Sequence, residues 1–536
     1  MSTAASRALD NNPLEKKMSR NPGKIGMVIF GAALVVGVIY TGVSIANDMG
    51  TVHSTSVFPF ILLGIALLTA LGFEFVNGFH DTANAVATVI YTHSMEPHIA
   101  VVWSGFCNFL GVLTSGGAVA FTVITLLPVE LILQVGSGAG FAMVFALLIA
   151  AIIWNLGTWY FGLPASSSHT MVGSIIGVGI ANQLMAPAGS ATSGVDWAQA
   201  TKIGESLLIS PVIGFAISAL LLLASKALIK DKRLYEAPSG TEPPPFWIRF
   251  LLWLTCTGVS FSHGSNDGQK GMGLIMLILV GTVPTAYALN HAVTPAQTAD
   301  FLAVSQQTVQ VVSKYVSPNA IIGESRDDLE NYIRSKKFND NTMLALRQEI
   351  NDIGNQVSGF TMLKNVPANR QGNIRNEMYL VSEAIRLVEK SGHTQFSDAD
   401  NKILTNYKKH IDLSTKFIPT WVKVAVAIAL GLGTMIGWKR IVVTVGEKIG
   451  KDHLTYGQGA AAEITAMLTI STADMLGLPV STTHVLSSGV AGTMAANRSG
   501  LQWGTVKNLL LAWVLTLPVA MMLSGFLFWA FRGISS

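Results

Sequence analysis

Two segments of this 536-residue chain set three hydroxyls in a row between a proline and a histidine: Pro164-Ala-Ser166-Ser167-Ser168-His169 and Pro479-Val-Ser481-Thr482-Thr483-His484. Each precedes an apolar run. Serine and threonine favour helix starts, where the first backbone N–H groups lack intrahelical partners. Such a start carries about half a positive charge and aims several donors at one spot. Surrounded by lipid, those donors need protein, water or a ligand. Two starts facing each other would form a donor-lined anion site; the plainer alternative is helix capping with close packing.

Asp81 and Asp267 lie in otherwise apolar sequence, with Asn77, Asn84 and Asn266 nearby. A carboxylate at membrane depth costs several kcal/mol, so it faces a cavity or a partner. Beside an anion pocket it would repel the anion unless a cation or proton lay between them. That is the electrostatic basis of symport, in which each ligand lowers the cost of binding the other. Oxygen ligands of this kind suit Na⁺ or Mg²⁺; the alternative is two buried aspartates capping helix ends. Lys270 could counter Asp267 or contact an oxyanion. His80, His169, His263 and His484, four of the eleven histidines, all fall within these motifs. With Glu74, which precedes the first of them, they are candidates for proton coupling. No nucleophile–base–orienter set, phosphate loop of soluble type or Cys/His metal box is present, so no enzyme and no resident cofactor is expected. Cys107 and Cys256 read as small core residues.

These motifs come in pairs. Asn77-Gly-Phe-His-Asp81 matches His263-Gly-Ser-Asn-Asp267 at an offset of 186, and Gly162-Leu-Pro-Ala-Ser166 matches Gly477-Leu-Pro-Val-Ser481 at an offset of 315. A charged segment of 117 residues, Asp300 to Lys416, accounts for most of the difference. It holds 29 of the 66 Lys, Arg, Asp and Glu residues. The whole chain is 50% hydrophobic and only 12% charged, with a mean hydropathy of +0.47, whereas an average soluble domain has about 25% charged residues. A soluble enzyme, a disordered chain and a disulfide-stapled secreted domain are thereby excluded. A dispersed net charge of +4 argues against a nucleic-acid partner.

The expected fold is an all-α membrane protein in which two inverted repeats supply about ten to twelve transmembrane helices and two re-entrant hairpins, near 164–182 and 479–496, with a small helical cytoplasmic insertion. Duplicated units with interrupted helices are the layout of secondary transporters, with the site at mid-membrane between the repeats. The expected divisions are a polar tail (1–24), a first span (25–46), membrane repeat 1 (57–229), a cytoplasmic linker (230–245), the start of repeat 2 (246–289, with spans at 246–262 and 270–289), the soluble cytoplasmic insertion (290–416) and the remainder of repeat 2 (417–536). Lys230, Lys232 and Arg233 place the linker inside. Lys439, Arg440, Lys448 and Lys451 fall outside on that span count, a conflict within the reading.

At these motifs the sequence resembles the PiT family of inorganic phosphate transporters. The family signature Gly-Ala-Asn-Asp-Val-Ala-Asn-Ala stands here as Gly78-Phe-His-Asp-Thr-Ala-Asn-Ala85, with a second copy at Gly264-Ser-Asn-Asp-Gly-Gln-Lys270. Ile153-Trp-Asn-Leu-Gly-Thr-Trp-Tyr-Phe161 and Thr434-Met-Ile-Gly-Trp438 resemble its bacterial low-affinity branch, and the likeness runs from about Phe58 to the C-terminus. Phe79-His80 replaces the family's Ala-Asn, which fits proton rather than sodium coupling. The resemblance implies multi-pass phosphate uptake in the plasma membrane (bacterial inner membrane), by symport of a neutral divalent-metal–phosphate complex with protons. It implies phosphate binding by Ser166, Ser167, Ser168, Ser481, Thr482 and Thr483, a coupling ion or metal at Asp81, Asn84, Asn266 and Asp267, and a homodimer. Na⁺ coupling, or another tetrahedral oxyanion such as sulfate, is the alternative within the class; an ion channel or membrane receptor is the alternative outside it.

Overall fold

The computed structural model describes residues 14, 18, 24–49, 58–81, 83–127, 129–133, 137–187, 194–238, 240, 242–321 and 323–535. Among them the regular structure is helical, and the only β pairing is an isolated bridge between Gly450 and Leu501. Six helices among the described residues are long and apolar enough to cross a membrane; these residues build a membrane protein.

The first helix, α1 (Lys24–Met49), is apolar all round, and Met27, Val28 and Val36 are more than half exposed. Lipid is the medium that tolerates this. α2 (Phe58–Asp81) ends on the first acidic motif and α3 (Ala83–Tyr91) follows it. The apolar run at 99–126 is two helices, α4 (Pro97–Thr114) and α5 (Ala118–Ile124). They are separated by Ser115-Gly116-Gly117, where Gly117 has a φ of +92°. Next come α6 (Gly138–Tyr160), α7 (Ser167–Leu184), the 32-residue span α8 (Trp197–Leu228) and α9 (Phe246–Thr282).

α9 corrects the sequence reading. The stretches 246–262 and 270–289 are not two spans: one unbroken helix of 37 residues runs through both, about 55 Å long at 1.5 Å per residue. The polar residues that interrupt the apolar pattern, His263 to Lys270, are all buried against neighbouring helices, so the backbone has no reason to break there. Consequently the linker before α9 and the insertion after it stand at opposite ends of the helix. Both were expected on the cytoplasmic face; the structure sets them at the two ends of one helix.

The insertion consists of α10 (Pro295–Ser313), α11 (Ser325–Ser335), α12 (Asn341–Ser358), α13 (Ala368–Ser391) and α14 (Asp398–Thr415). They enclose a core of their own around Phe301, Leu346, Ile350, Met378 and Tyr407. The chain then bends by 73° into α15 (Thr420–Thr434), followed by α16 (Lys439–Glu447), α17 (Tyr456–Met475), α18 (Thr482–Ala496) and α19 (Trp503–Ser535). α15, α17 and α18 have 15, 20 and 15 residues. Rich in Gly, Ala, Ser and Thr, they are buried among other helices and do not reach the length and apolarity of free-standing spans. That is why fewer helices pass on those grounds than the ten to twelve expected.

α6 and α7 form one hairpin, α17 and α18 another. Their tips turn at Gly162 and Gly477, with φ of +66° and +65°, a region that only glycine enters without strain. The first hairpin opens toward the insertion, since Gln183 near the end of α7 lies beside Gly194, two residues before an Asp196–Arg386 ion pair to α13. The second opens toward the linker, where Gly457 abuts Leu234 and Tyr235, and Lys226 donates to Asn497. The motif glycines hold the membrane helices close: a Cβ on Gly78 would lie 2.2 Å from the Leu430 carbonyl oxygen, and one on Gly264 would lie 2.2 Å from that of Asn108.

Candidate functional site

The two hairpin tips touch. Ser168 Oγ donates to the Val480 carbonyl at 2.6 Å, and the rings of His169 and His484 are 4.5 Å apart. The three hydroxyls of each tip divide their work. Ser166 and Ser481 are N-caps, accepting from the backbone N–H of His169 at 3.2 Å and of His484 at 3.1 Å. For these two the capping reading describes what the side chain does. Ser167 accepts from Asn155 Nδ2 at 3.2 Å. Its counterpart Thr482 has a buried hydroxyl with no hydrogen-bond partner.

The third hydroxyl of each tip reaches an acidic motif. Ser168 accepts from Lys270 Nζ at 2.6 Å, and the same ammonium lies 2.6 Å from Asp267 Oδ1. Thr483 Oγ1 donates to Asp81 Oδ1 at 2.7 Å. Thus the first tip meets the second acidic motif and the second tip meets the first. Asp81 Oδ1 also lies 3.0 Å from His80 Nδ1, and His80 Nε2 is 3.0 Å from Thr158 Oγ1.

Between the two carboxylates stands His263. Its Nδ1 is 2.7 Å from Asn108 Oδ1, and its Nε2 is 3.6 Å from Asp267 Oδ2, an oxygen that accepts no hydrogen bond. One donor atom each from Asp81, His263 and Asp267 fall within 4.8 Å of one another, and all three residues are buried. Two carboxylates against one ammonium leave the centre at net −1 with the imidazoles neutral. At 4 Å and an effective dielectric of 20, one further like charge costs about 4 kcal/mol. Added positive charge would offset that cost for an entering anion. Two carboxylate oxygens and an imidazole nitrogen form a donor set that a divalent cation fits.

The structure distributes the remaining predicted residues. Asn266 donates to the Leu478 carbonyl at 3.1 Å, a bond that holds the second tip. Glu74 is fully buried and lies against Gly271, one residue from Lys270. His169 and His484 turn away from the carboxylates and line a groove of about 750 Å³ between α8 and α19, where His484 stacks on Trp513 at 4.1 Å. The side chain of Asn84 lies outside the described residues. Sequence reasoning missed Asn155, Gln269, Asp474 and Glu463. Asn155 joins Ser167 to Thr170. Asp474 accepts from Ser265 and Gln269, both at 2.5 Å. Glu463 is fully buried with Thr255 as its donor. Asn155 and Glu463 carried a usable signal, a polar side chain alone in an apolar run.

The profile of the phosphate transporter family matches residues 77–524. The chain is 41% identical to the low-affinity inorganic phosphate transporter PitB of Escherichia coli over 88% of this chain and 97% of that protein. It is 42% identical to PitA of the same organism, over 88% and 96%. A solved sodium-dependent phosphate transporter covers 88% of this chain and all of its own at 20% identity, with a TM-score of 0.47.

Proposed function

The chain belongs to the phosphate transporter family, and on that premise we propose that it imports inorganic phosphate across the plasma membrane as a secondary symporter. The observation that carries this reading is the crossed pairing of Ser168 with Lys270–Asp267 and of Thr483 with Asp81. Phosphate held between the tips takes a hydrogen bond from Thr482, whose hydroxyl has no other partner, from Thr483 and Ser168 once their hydroxyls turn from Asp81 and the Val480 carbonyl, and from the helix starts behind them, while Lys270 supplies one positive charge. The two aspartates keep the site closed to a bare anion. A cation at Asp81, His263 and Asp267 lifts that barrier, so neither species loads alone.

We favour co-transport of a divalent metal with phosphate because the third donor of the cluster is an imidazole. Nitrogen suits Mn²⁺ or Zn²⁺ at least as well as Mg²⁺, and it suits Na⁺ poorly. A neutral metal–phosphate pair also crosses low-dielectric surroundings more cheaply than either ion. Protons taken up at Glu74 or His80 would complete the coupling. On this reading the site resides in a bacterial inner membrane.

Reconstitution into liposomes tests the proposal. Labelled phosphate should accumulate under an imposed proton gradient with a divalent metal present, and a tenfold excess of sulfate should leave uptake intact. Accumulation driven by a sodium gradient alone removes the proton–metal reading. Flux that neither saturates nor accumulates points to a channel, and binding without flux to a receptor.

A further inference from the structure

The insertion and the linker lie on opposite faces, and the charges on the short connections identify those faces. α8 leaves the insertion side at Asp196, which is ion-paired with Arg386 of α13 at 2.5 Å, and delivers the chain to the linker; α9 carries it back. On the linker side stand Lys230, Lys232 and Arg233. Lys439, Arg440, Lys448 and Lys451 join them there, because Gly446 packs on Tyr91, three residues before the Ser94 carbonyl that binds Arg249 at the start of α9, and because Lys451 bonds Gly500. The insertion side is marked by Leu133 against the insertion core and by Thr125 and Gly194 beside Ile333. The connections there, 125–137, 185–196 and 283–294, contain no lysine or arginine in their sequence. Short loops rich in lysine and arginine stay in the cytoplasm. The insertion, with 15 basic and 14 acidic residues, brings no bias of its own.

Where the insertion meets the membrane body, α13 and α14 roof a cavity of about 260 Å³ over α5 and α9. Arg375, Arg386, Lys408 and Lys416 line it, against Glu383 and Asp412. Arg386 is committed to Glu383 and Asp196, Lys408 to Glu389 and Lys416 to Asp412. Arg375 is different. It lies 5.5 Å from the centre of the Tyr379 ring and donates to Asn376 at 3.2 Å, and no described carboxylate pairs with it. A guanidinium so placed offers the planar donor fork that suits a phosphate group.

We propose that residues 290–416 form an extracytoplasmic domain, and that the cavity at its base, with Arg375 as its uncommitted cation, holds a phosphate group from the outer side, either of inorganic phosphate or of a lipid headgroup. The placement is independent of the transport reading; the cavity's role rests on it. Single-cysteine versions of the full chain at the exposed positions Lys390 and Lys232 test the placement with a membrane-impermeant maleimide. Lys390→Cys should label on intact spheroplasts and Lys232→Cys only after permeabilisation. The reverse pattern overturns the proposal, whatever the protein transports.

Arg375→Gln tests the cavity through uptake from outside into liposomes. The expected result is a KM for phosphate raised about tenfold with kcat unchanged, the worth of one charge-assisted hydrogen bond, and recovery in Arg375→Lys. A change seen in purely zwitterionic liposomes assigns the site to inorganic phosphate. A change confined to liposomes with phosphatidylglycerol assigns it to a headgroup. An unaltered KM in both refutes the cavity's role.

Discussion

Replacing Lys270 with methionine keeps most of the side-chain volume and deletes one charge. The ammonium is fully buried and makes two bonds of 2.6 Å, to Asp267 and to Ser168. Without it, Asp267 keeps only His263 at 3.6 Å, and the centre falls from net −1 to −2. Breaking a buried ion pair from one side costs about 3–5 kcal/mol, because the other charge stays desolvated; that is two to four powers of ten in an equilibrium constant. Lys270→Met should therefore lower the stability of the purified protein by that amount in chemical denaturation and abolish phosphate uptake. Asp267→Asn added to it should restore most of the stability, since a neutral pair no longer carries the buried charge, and should restore no uptake. If Lys270→Met proves as stable as the parent, or Asp267→Asn deepens the loss, the account of this centre is wrong.

Other expectations follow from single contacts. Thr483→Val removes the hydroxyl that binds Asp81 at 2.7 Å; a hydrogen bond to a charged group is worth about 1.5–3 kcal/mol, so kcat/KM should fall about tenfold to a hundredfold, and a smaller loss would detach this tip from the chemistry. Gly264→Ala puts a methyl group 2.2 Å from the Asn108 carbonyl oxygen. α4 and α9 must then part, at about 1–3 kcal/mol, read as a lowered melting temperature that an unmoved transition would contradict. In the insertion, hydrogen bonds from Lys314, Tyr315 and Ser397 hold the Asp400 carboxyl down at about 2. A depressed carboxylate stabilises above its ordinary value and loses that contribution as pH falls through the folded one. Protection from hydrogen exchange at the start of α14 in the full chain should accordingly decline between pH 4 and 2, and Asp400→Asn should flatten the decline; equal slopes would rule out the ion pair as its cause.

The acidic and hydroxyl motifs were legible because chemistry at membrane depth is expensive. An aspartate or a run of hydroxyls inside apolar sequence has few uses, and its recurrence in the same order makes accident a poor explanation. The division of labour within each run was not legible. Ser166, Ser167 and Ser168 are identical letters, and only the fold decides that one caps, one pairs with Asn155 and one meets Lys270. The histidines part in the same way: His80 and His263 join the carboxylates, while His169 and His484 face a groove.

Composition and periodicity alone determined that this chain lives in lipid, that a water-facing domain interrupts it, and which residues are too polar for where they sit. These are local properties, set by the transfer cost of each side chain. Whether the polar stretch at His263–Lys270 would break a helix depended on neighbours far along the chain, since most of its polar side chains meet Asn108 of α4, Val119 of α5, Asp474 of α17 and the two tips. That single unbroken helix sets the linker and the insertion at its two ends, a separation that could be seen only in three dimensions.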